Sequence, residues 1–219
     1  MVLLDEDIYQ ETREIVLGQR EKTPLLIELA DWLMQKYSIK MLNFQFAKLK
    51  GPSEKRYRLY IIVTSKENMK RMHIDFRPNA DYQEQIANKF RKLSIKHRYT
   101  DKEKLENLFV TFNDYSDEAM TLANWSAIEE AREEIKNKYS SVWDLLEMFS
   151  STVVFYYLET QIKENAINEV SEKIKTDYYK ILKKYDELNY YTTENLLIKF
   201  DSKENLDEYY QGSIFRYSR

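Results

Sequence analysis

The sequence predicts an α+β protein: an antiparallel β-meander packed by helices, followed by a second α+β half. Between Leu42 and Phe76 the apolar residues recur at every second position in three successive runs, which is the period of a half-buried strand. On both sides of those runs they recur at spacings of three and four, the period of an amphipathic helix. The 219 residues include only 3 glycines and 3 prolines, which leaves little material for long irregular loops.

In chain order, residues 5–20 read as a helix or ordered arm with a sparse apolar stripe of Ile8, Ile15 and Val16. Thr23-Pro24 is a clearer helix start, because threonine can cap free backbone donors and proline at the first position loses no hydrogen bond. Leu25, Leu26, Leu29, Leu33 and Tyr37 follow on one stripe. The runs Leu42-Phe44-Phe46, Tyr57-Leu59-Ile61-Val63 and Met72-Ile74-Phe76 then alternate, separated by the turn signals Lys50–Ser53 and Ser65–Asn68. Short connections favour an antiparallel meander. Its polar face would carry Asn43, Gln45, Arg56, Arg58, Tyr60, Arg71, His73, Asp75 and Arg77. A helix bearing Tyr82, Ile86, Phe90 and Leu93 follows, then a strand through Leu108, Val110 and Phe112 and a turn at Asn113–Ser116.

The second half opens with a helix over 124–139 that turns Trp125, Ile128 and Ile135 inward, and Val142–Phe149 extends the helical region. Thr152–Tyr157, rich in β-branched and aromatic residues, is a strand. A helix over 171–188, capped by Ser171, comes next, followed by a strand at Leu196–Phe200. A short helix capped by Asp201 or Ser202 and stopped by Gly212 leads to a final strand at Ile214–Tyr217. No sequence repeat relates the halves, and the boundary falls at 1–115 and 116–219.

Composition excludes several chemistries. Without cysteine there is no disulfide, thiol nucleophile or Cys-ligated metal, which fits a reducing, cytoplasmic setting. The start of the chain turns acidic too early for a signal peptide, and no run of about 18 apolar residues offers a membrane span. Gly18, Gly51 and Gly212 build no phosphate loop. His73 and His97, the only imidazoles, stand far apart and form no metal motif; His73 with Asp75 on one strand face is a surface pair first. No Gly-x-Ser-x-Gly elbow is present, and Glu129, Glu130, Glu133 and Glu134 sit in a solvated charge lattice that offers no pocket for acid–base work. No cofactor, no metal and no catalytic residue are therefore expected.

Charge is divided unequally. Residues 1–110 carry 21 Lys and Arg against 16 Asp and Glu, while residues 111–219 carry 13 against 21. On the basic side, Arg56, Arg58, Tyr60, Arg71, His73 and Arg77 form a candidate face for nucleic acid or an acidic ligand, since guanidinium groups suit phosphate and tyrosine can stack on bases. On the acidic side, Tyr178, Tyr185, Asp186, Tyr190, Asp201, Glu204 and Tyr209 are candidate partner contacts, with carboxylates to steer a basic protein and phenols to anchor it.

The stretches Tyr178–Leu188 and Lys199–Asp207 resemble uncharacterised bacterial proteins rich in Lys, Tyr and Glu, some of which are immunity partners of secreted polymorphic toxins. The resemblance covers about the last 70 residues and assigns no functional residue. It implies an intracellular, non-enzymatic protein that neutralises a toxin domain by occluding its active site. A nucleic-acid-binding module working through the basic sheet face is the alternative, and an enzyme with a motif-free site is a third reading.

Overall fold

Thr23 acts as the capping chemistry requires. In the computed structural model, which describes residues 4–49, 56–75 and 77–219, its hydroxyl accepts from the Leu26 N–H at 3.3 Å and opens helix α2 (Pro24–Tyr37). Helix α1 (Glu6–Val16) precedes it. Ser38, at φ 55°, closes α2 in the left-handed region. Strands β1 (Met41–Lys48) and β2 (Tyr57–Val63) then form an antiparallel hairpin.

The third alternating run does not extend this hairpin. The Ser65 hydroxyl accepts from the Asn68 N–H at 3.4 Å and starts a helix, α3 (Lys66–Arg71), which uses up the residues a tight turn would need. His73–Ile74 (β3) and Arg77–Pro78 (β4) pair only with each other. After α4 (Ala80–Lys96) and the single turn α5 (Lys102–Leu105), strand β5 (Leu108–Asp114) takes the vacant place beside β2, and it runs parallel to it. The expected meander is thus a mixed sheet of order β1-β2-β5. Leu25, Leu29 and Leu33 of α2 and Ile86, Phe90 and Leu93 of α4 bury its apolar face against Phe44, Leu59, Ile61 and Phe112. The expected turn at 50–53 and Phe76 lie outside the described residues.

The chain divides into two compact units, Met1–Asp117 and Glu118–Arg219, close to the expected boundary at 115/116. The division falls early in α6 (Tyr115–Lys138), which begins directly after β5 where a turn was expected. Asp114 Oδ1 accepts there from the Ser116 N–H at 3.0 Å. In the second unit Val142–Met148 is a strand, β6, rather than more helix, and pairs antiparallel with β7 (Ser151–Tyr156). Helices α7 (Glu159–Ile167) and α8 (Val170–Leu182) lead to β8 (Leu197–Ser202), parallel to β7, and then to α9 (Lys203–Tyr210). Ser171, expected as a cap, lies inside α8, where its hydroxyl meets the Tyr156 phenol at 2.9 Å. Ile214–Tyr217, expected as a strand, is a helical turn, α10, because the Ser213 hydroxyl accepts from the Arg216 N–H. Trp125, expected inside, is 40% exposed.

The two units are a structural repeat, although the sequence reading found none. Each runs helix, antiparallel hairpin, a helical crossover (α3, α4 and α5 with the β3–β4 ladder in the first unit, α7 and α8 in the second), then a strand parallel to the central one. Both first strands carry a register shift near their start, at Met41/Asn43 and Val142/Asp144. Beyond the shift, Asn43 Oδ1 accepts from the Phe44 N–H at 2.8 Å, and Asp144 Oδ1 from the Leu145 N–H at 2.9 Å. The sequence keeps one trace of this, Lys36-Tyr37-Ser38 and Lys138-Tyr139-Ser140. In the first unit both Lys36 and Tyr37 bond Gln85 of α4; in the second, Lys138 and Tyr139 both bond Asp177 of α8. Each lysine also lies over the ring of its neighbouring tyrosine, at 5.5 and 5.4 Å.

Candidate protein-binding surface

The acidic candidates separate into those that build the second unit and those it presents to solvent. Tyr178 is fully buried, its phenol 2.6 Å from Asn124 Oδ1 and 2.8 Å from the Thr152 hydroxyl. Burial in this site pushes the phenol up to about 12. Asp186 is also internal: its carboxylate accepts from the Tyr190 and Tyr191 N–H groups, each at 2.9 Å, and from Lys183 at 2.6 Å, so it shapes the loop that enters β8. Tyr190 is half-buried in that loop. Tyr185 is exposed, but its phenol donates to Glu130 of α6 at 2.7 Å. Tyr178, Asp186 and Asp201 therefore belong to the interior and are not contact residues, a correction to the sequence-based surface.

Asp201 holds the surface in place from beneath. It ends β8 buried, and its carboxylate accepts from the Tyr217 phenol at 2.6 Å, from Asn205 Nδ2 at 2.8 Å and from the Ser202 N–H at 2.8 Å, with Lys199 Nζ 3.3 Å away. Desolvation pushes the pKa of this carboxyl up, but the Tyr217, Ser202, Asn205 and Lys199 contacts outweigh it and hold the group below its ordinary value. Tyr217 moves the opposite way, up to about 12, through desolvation first and then the negative charge of Asp201. The pair ties α10 to the sheet. Beneath it Leu206 packs with Val153 and Phe155, and Tyr217 stands edge-on to both Phe155 and Tyr210.

Fixing Leu206 and Tyr217 inward turns other residues out. The Ser202 hydroxyl caps α9 at the Asn205 N–H, 3.0 Å away, and sets the helical phase. Glu204, Asp207, Glu208 and Tyr209 then face solvent. Glu204 accepts from the Glu159 N–H at 2.9 Å, and Asp207 pairs with Lys203. Tyr209 is 70% exposed, and on α10 Phe215 is 64% exposed with the Arg219 guanidinium 4.2 Å over its ring. Two large aromatic rings thus stand in water, Tyr209 on the same short helix as three exposed carboxylates and Phe215 on α10. The sequence reading included Glu204 and Tyr209 but missed Phe215 because it took that segment for a strand; Ser213, a helix-capping residue type, was the available signal.

The basic candidates do not share a face. Arg58 and Tyr60 lie on β2, where the guanidinium stacks 4.6 Å from the phenol ring; Tyr60 itself is buried, and its hydroxyl accepts from Asn113 Nδ2 at 2.9 Å. Arg56 is exposed just before that strand. Arg71 ends α3, paired with Glu67 at 2.8 Å. His73 and Arg77 lie on the separate β3–β4 ladder, His73 with Nδ1 2.7 Å from the Met69 carbonyl. The expected continuous basic sheet face is therefore corrected: α3 and the small ladder take the third run away from β2.

Among the described residues, no group of three or more His, Cys, Asp or Glu is placed to hold a metal ion, and no helix is long and apolar enough to cross a membrane. No family model matches the chain, and no curated protein matches it.

Proposed function

We propose that the chain is a non-enzymatic protein-binding factor of the immunity type, which neutralises a toxin domain by covering its active site with the α9–α10 surface. The observation that carries this reading is the exposure of Tyr209 and Phe215, with Glu204, Asp207 and Glu208 exposed on the helix that bears Tyr209. Exposed aromatic rings forgo the stabilisation of burial, and such rings anchor protein interfaces when a partner covers them. The carboxylates of α9 suit a cationic cleft, as in an enzyme that acts on a polyanion, and raise the rate of encounter with it. Asp201 and Tyr217 hold both helices in place beforehand, which lowers the ordering cost of binding.

The test is capture of a partner protein from the source cells on the immobilised full chain at low salt. The double variant Tyr209→Ala/Phe215→Ala is expected to bind the captured partner about 100-fold more weakly, with its own unfolding unchanged, because both side chains are exposed. Glu208→Lys is expected to slow association and flatten its dependence on salt. Unchanged affinity in the double variant would place the interface elsewhere.

A further inference from the structure

We propose that the first unit carries a small anion-binding site where α4 runs into α5, and that its ligand is a phosphate group, free or on a small organic molecule. The inference goes beyond the proposed function and does not rest on it, since it uses none of the α9–α10 residues.

A cavity of about 500 Å³ opens at the end of α4, lined by Ser94, Ile95, Arg98, Tyr99, Lys102 and Lys104 among others. Tyr99 fixes the loop that forms it. Its N–H donates to the Ser94 carbonyl at 2.9 Å, and its ring stands edge-on to Phe44 and Phe90 of the core. The cavity is therefore tied to the packed body of the unit.

Its chemistry selects the ligand. Arg98, Lys102 and Lys104 line the cavity against a single carboxylate, Asp101, and Lys104 takes that carboxylate at 2.9 Å. Among the described residues, Arg98 and Lys102 have no acidic partner. Ser94 is fully buried, yet its hydroxyl bonds nothing. A serine inside a helix ordinarily donates to the carbonyl four residues back, and a buried hydroxyl left unbonded is destabilising. An anion oxygen beside Ser94 supplies the acceptor that the chain itself does not. Arg98 also stands at φ 53°, just past the end of α4, where glycine or asparagine is the usual residue. The chain thus keeps a cation at a position that glycine would relax. Guanidinium, ammonium and hydroxyl are all donors, so the site suits a group that only accepts. A phosphate monoester brings three acceptor oxygens and about two negative charges at neutral pH, which match the two uncompensated cations. A nucleic acid needs a longer track of cations than these two. Ile95 and Tyr99 leave apolar wall for a small organic part.

The test titrates the isotope-labelled full chain with inorganic phosphate and, separately, with phenyl phosphate, at neutral pH and constant ionic strength. Saturable shifts of the amides of residues 94–104 are expected, half-complete at or below about 1 mM. Tighter binding of phenyl phosphate supports the inference and assigns the organic part to Ile95 and Tyr99; equal binding supports it with the free ion as ligand. Arg98→Gly is expected to weaken binding at least about ten-fold without lowering the thermal midpoint, because glycine suits the left-handed backbone there. Ser94→Ala is expected to weaken it about ten-fold, again with the midpoint kept, since no bond within the chain is lost. Lys92→Gln, exposed and outside the cavity, is the charge control and should bind as the parent does. No saturable shift with either anion at about 1 mM would overturn the inference. So would parental binding in both Arg98→Gly and Ser94→Ala, or an equal weakening in Lys92→Gln, which marks general attraction to a basic surface. Should Arg98→Gly unfold, Ser94→Ala alone decides. None of these residues belongs to the α9–α10 surface, so failure here leaves the capture experiment with Tyr209→Ala/Phe215→Ala as an independent test.

Discussion

Replacing Asn124 by alanine is expected to destabilise the second unit by about 3–5 kcal/mol, because it leaves several buried polar groups without partners at once. Asn124 lies on α6 and uses its full bonding capacity. Its Nδ2 donates to the Phe149 and Ser151 carbonyls, both at 2.9 Å, and its Oδ1 accepts from the Thr152 hydroxyl at 3.0 Å and the Tyr178 phenol at 2.6 Å. Phe149 is in the left-handed region at φ 55°, in the two-residue turn between β6 and β7, so the amide also clamps a strained turn. Thr152 and Tyr178 are 2.8 Å apart. Two hydroxyl protons must therefore serve three close contacts, and the asparagine oxygen decides where they go. Tyr178→Phe removes one donor and leaves Thr152 bonded to Asn124, so its cost is expected to be only about 1–2 kcal/mol. Urea unfolding of the variants, followed by amide exchange within β7, separates these values. Trp125→Ala, one residue along α6 and solvent-exposed, is the control and should fall within about 0.5 kcal/mol of the parent.

Local chemistry made much of this fold legible, and long-range pairing hid the rest. Caps at Thr23 and Ser202 stand where their residue types place them, and so do the apolar stripes of α2, α4 and α8, whereas Ser65, read as part of a turn, caps α3. β6 was misread because Val142-Trp143-Asp144-Leu145-Leu146-Glu147-Met148 is rich in helix formers; pairing with β7 overrides that preference. The alternation of Met72, Ile74 and Phe76 was real in the sequence, yet period alone does not say which strand pairs with which. Acidic and tyrosine residues interleave along the second half and read as one surface. Several of them instead bond each other within the unit across long stretches of chain, as Tyr139 does with Asp177, Tyr185 with Glu130 and Tyr217 with Asp201. Composition registers such residues but not their partners. What remains outside is the face of α9 and α10, of which the sequence disclosed Glu204 and Tyr209 but not Phe215.

Opening the Asp201–Tyr217 contact is expected to release α10 and abolish the arrangement of the exposed aromatic rings while leaving the sheet folded. Tyr217→Phe deletes a phenol that donates to a buried carboxylate, a loss of about 1.5–3 kcal/mol for a hydrogen bond to a charged group. Asp201→Asn exchanges the charge for an amide whose NH₂ meets other donors, so a similar or larger loss is expected. Both groups also give the contact a pH window. The folded chain holds the Asp201 carboxyl below its ordinary value, so the stability it supplies is complete above the unfolded value near 4 and falls away as pH drops through the lower folded one. Tyr217 is raised, so its share is complete below about 10, the ordinary phenol value, and is lost as pH climbs toward about 12. Tyr178, raised as far in the core of the same unit, adds a second proton to that alkaline limb. Amide exchange of residues 213–219 across pH should show loosening of α10 at both extremes in the parent chain, with the acid limb missing in Asp201→Asn. If Tyr217→Phe leaves that exchange unchanged near neutral pH, α10 is held by the packing of its rings alone, and the carboxylate is no latch.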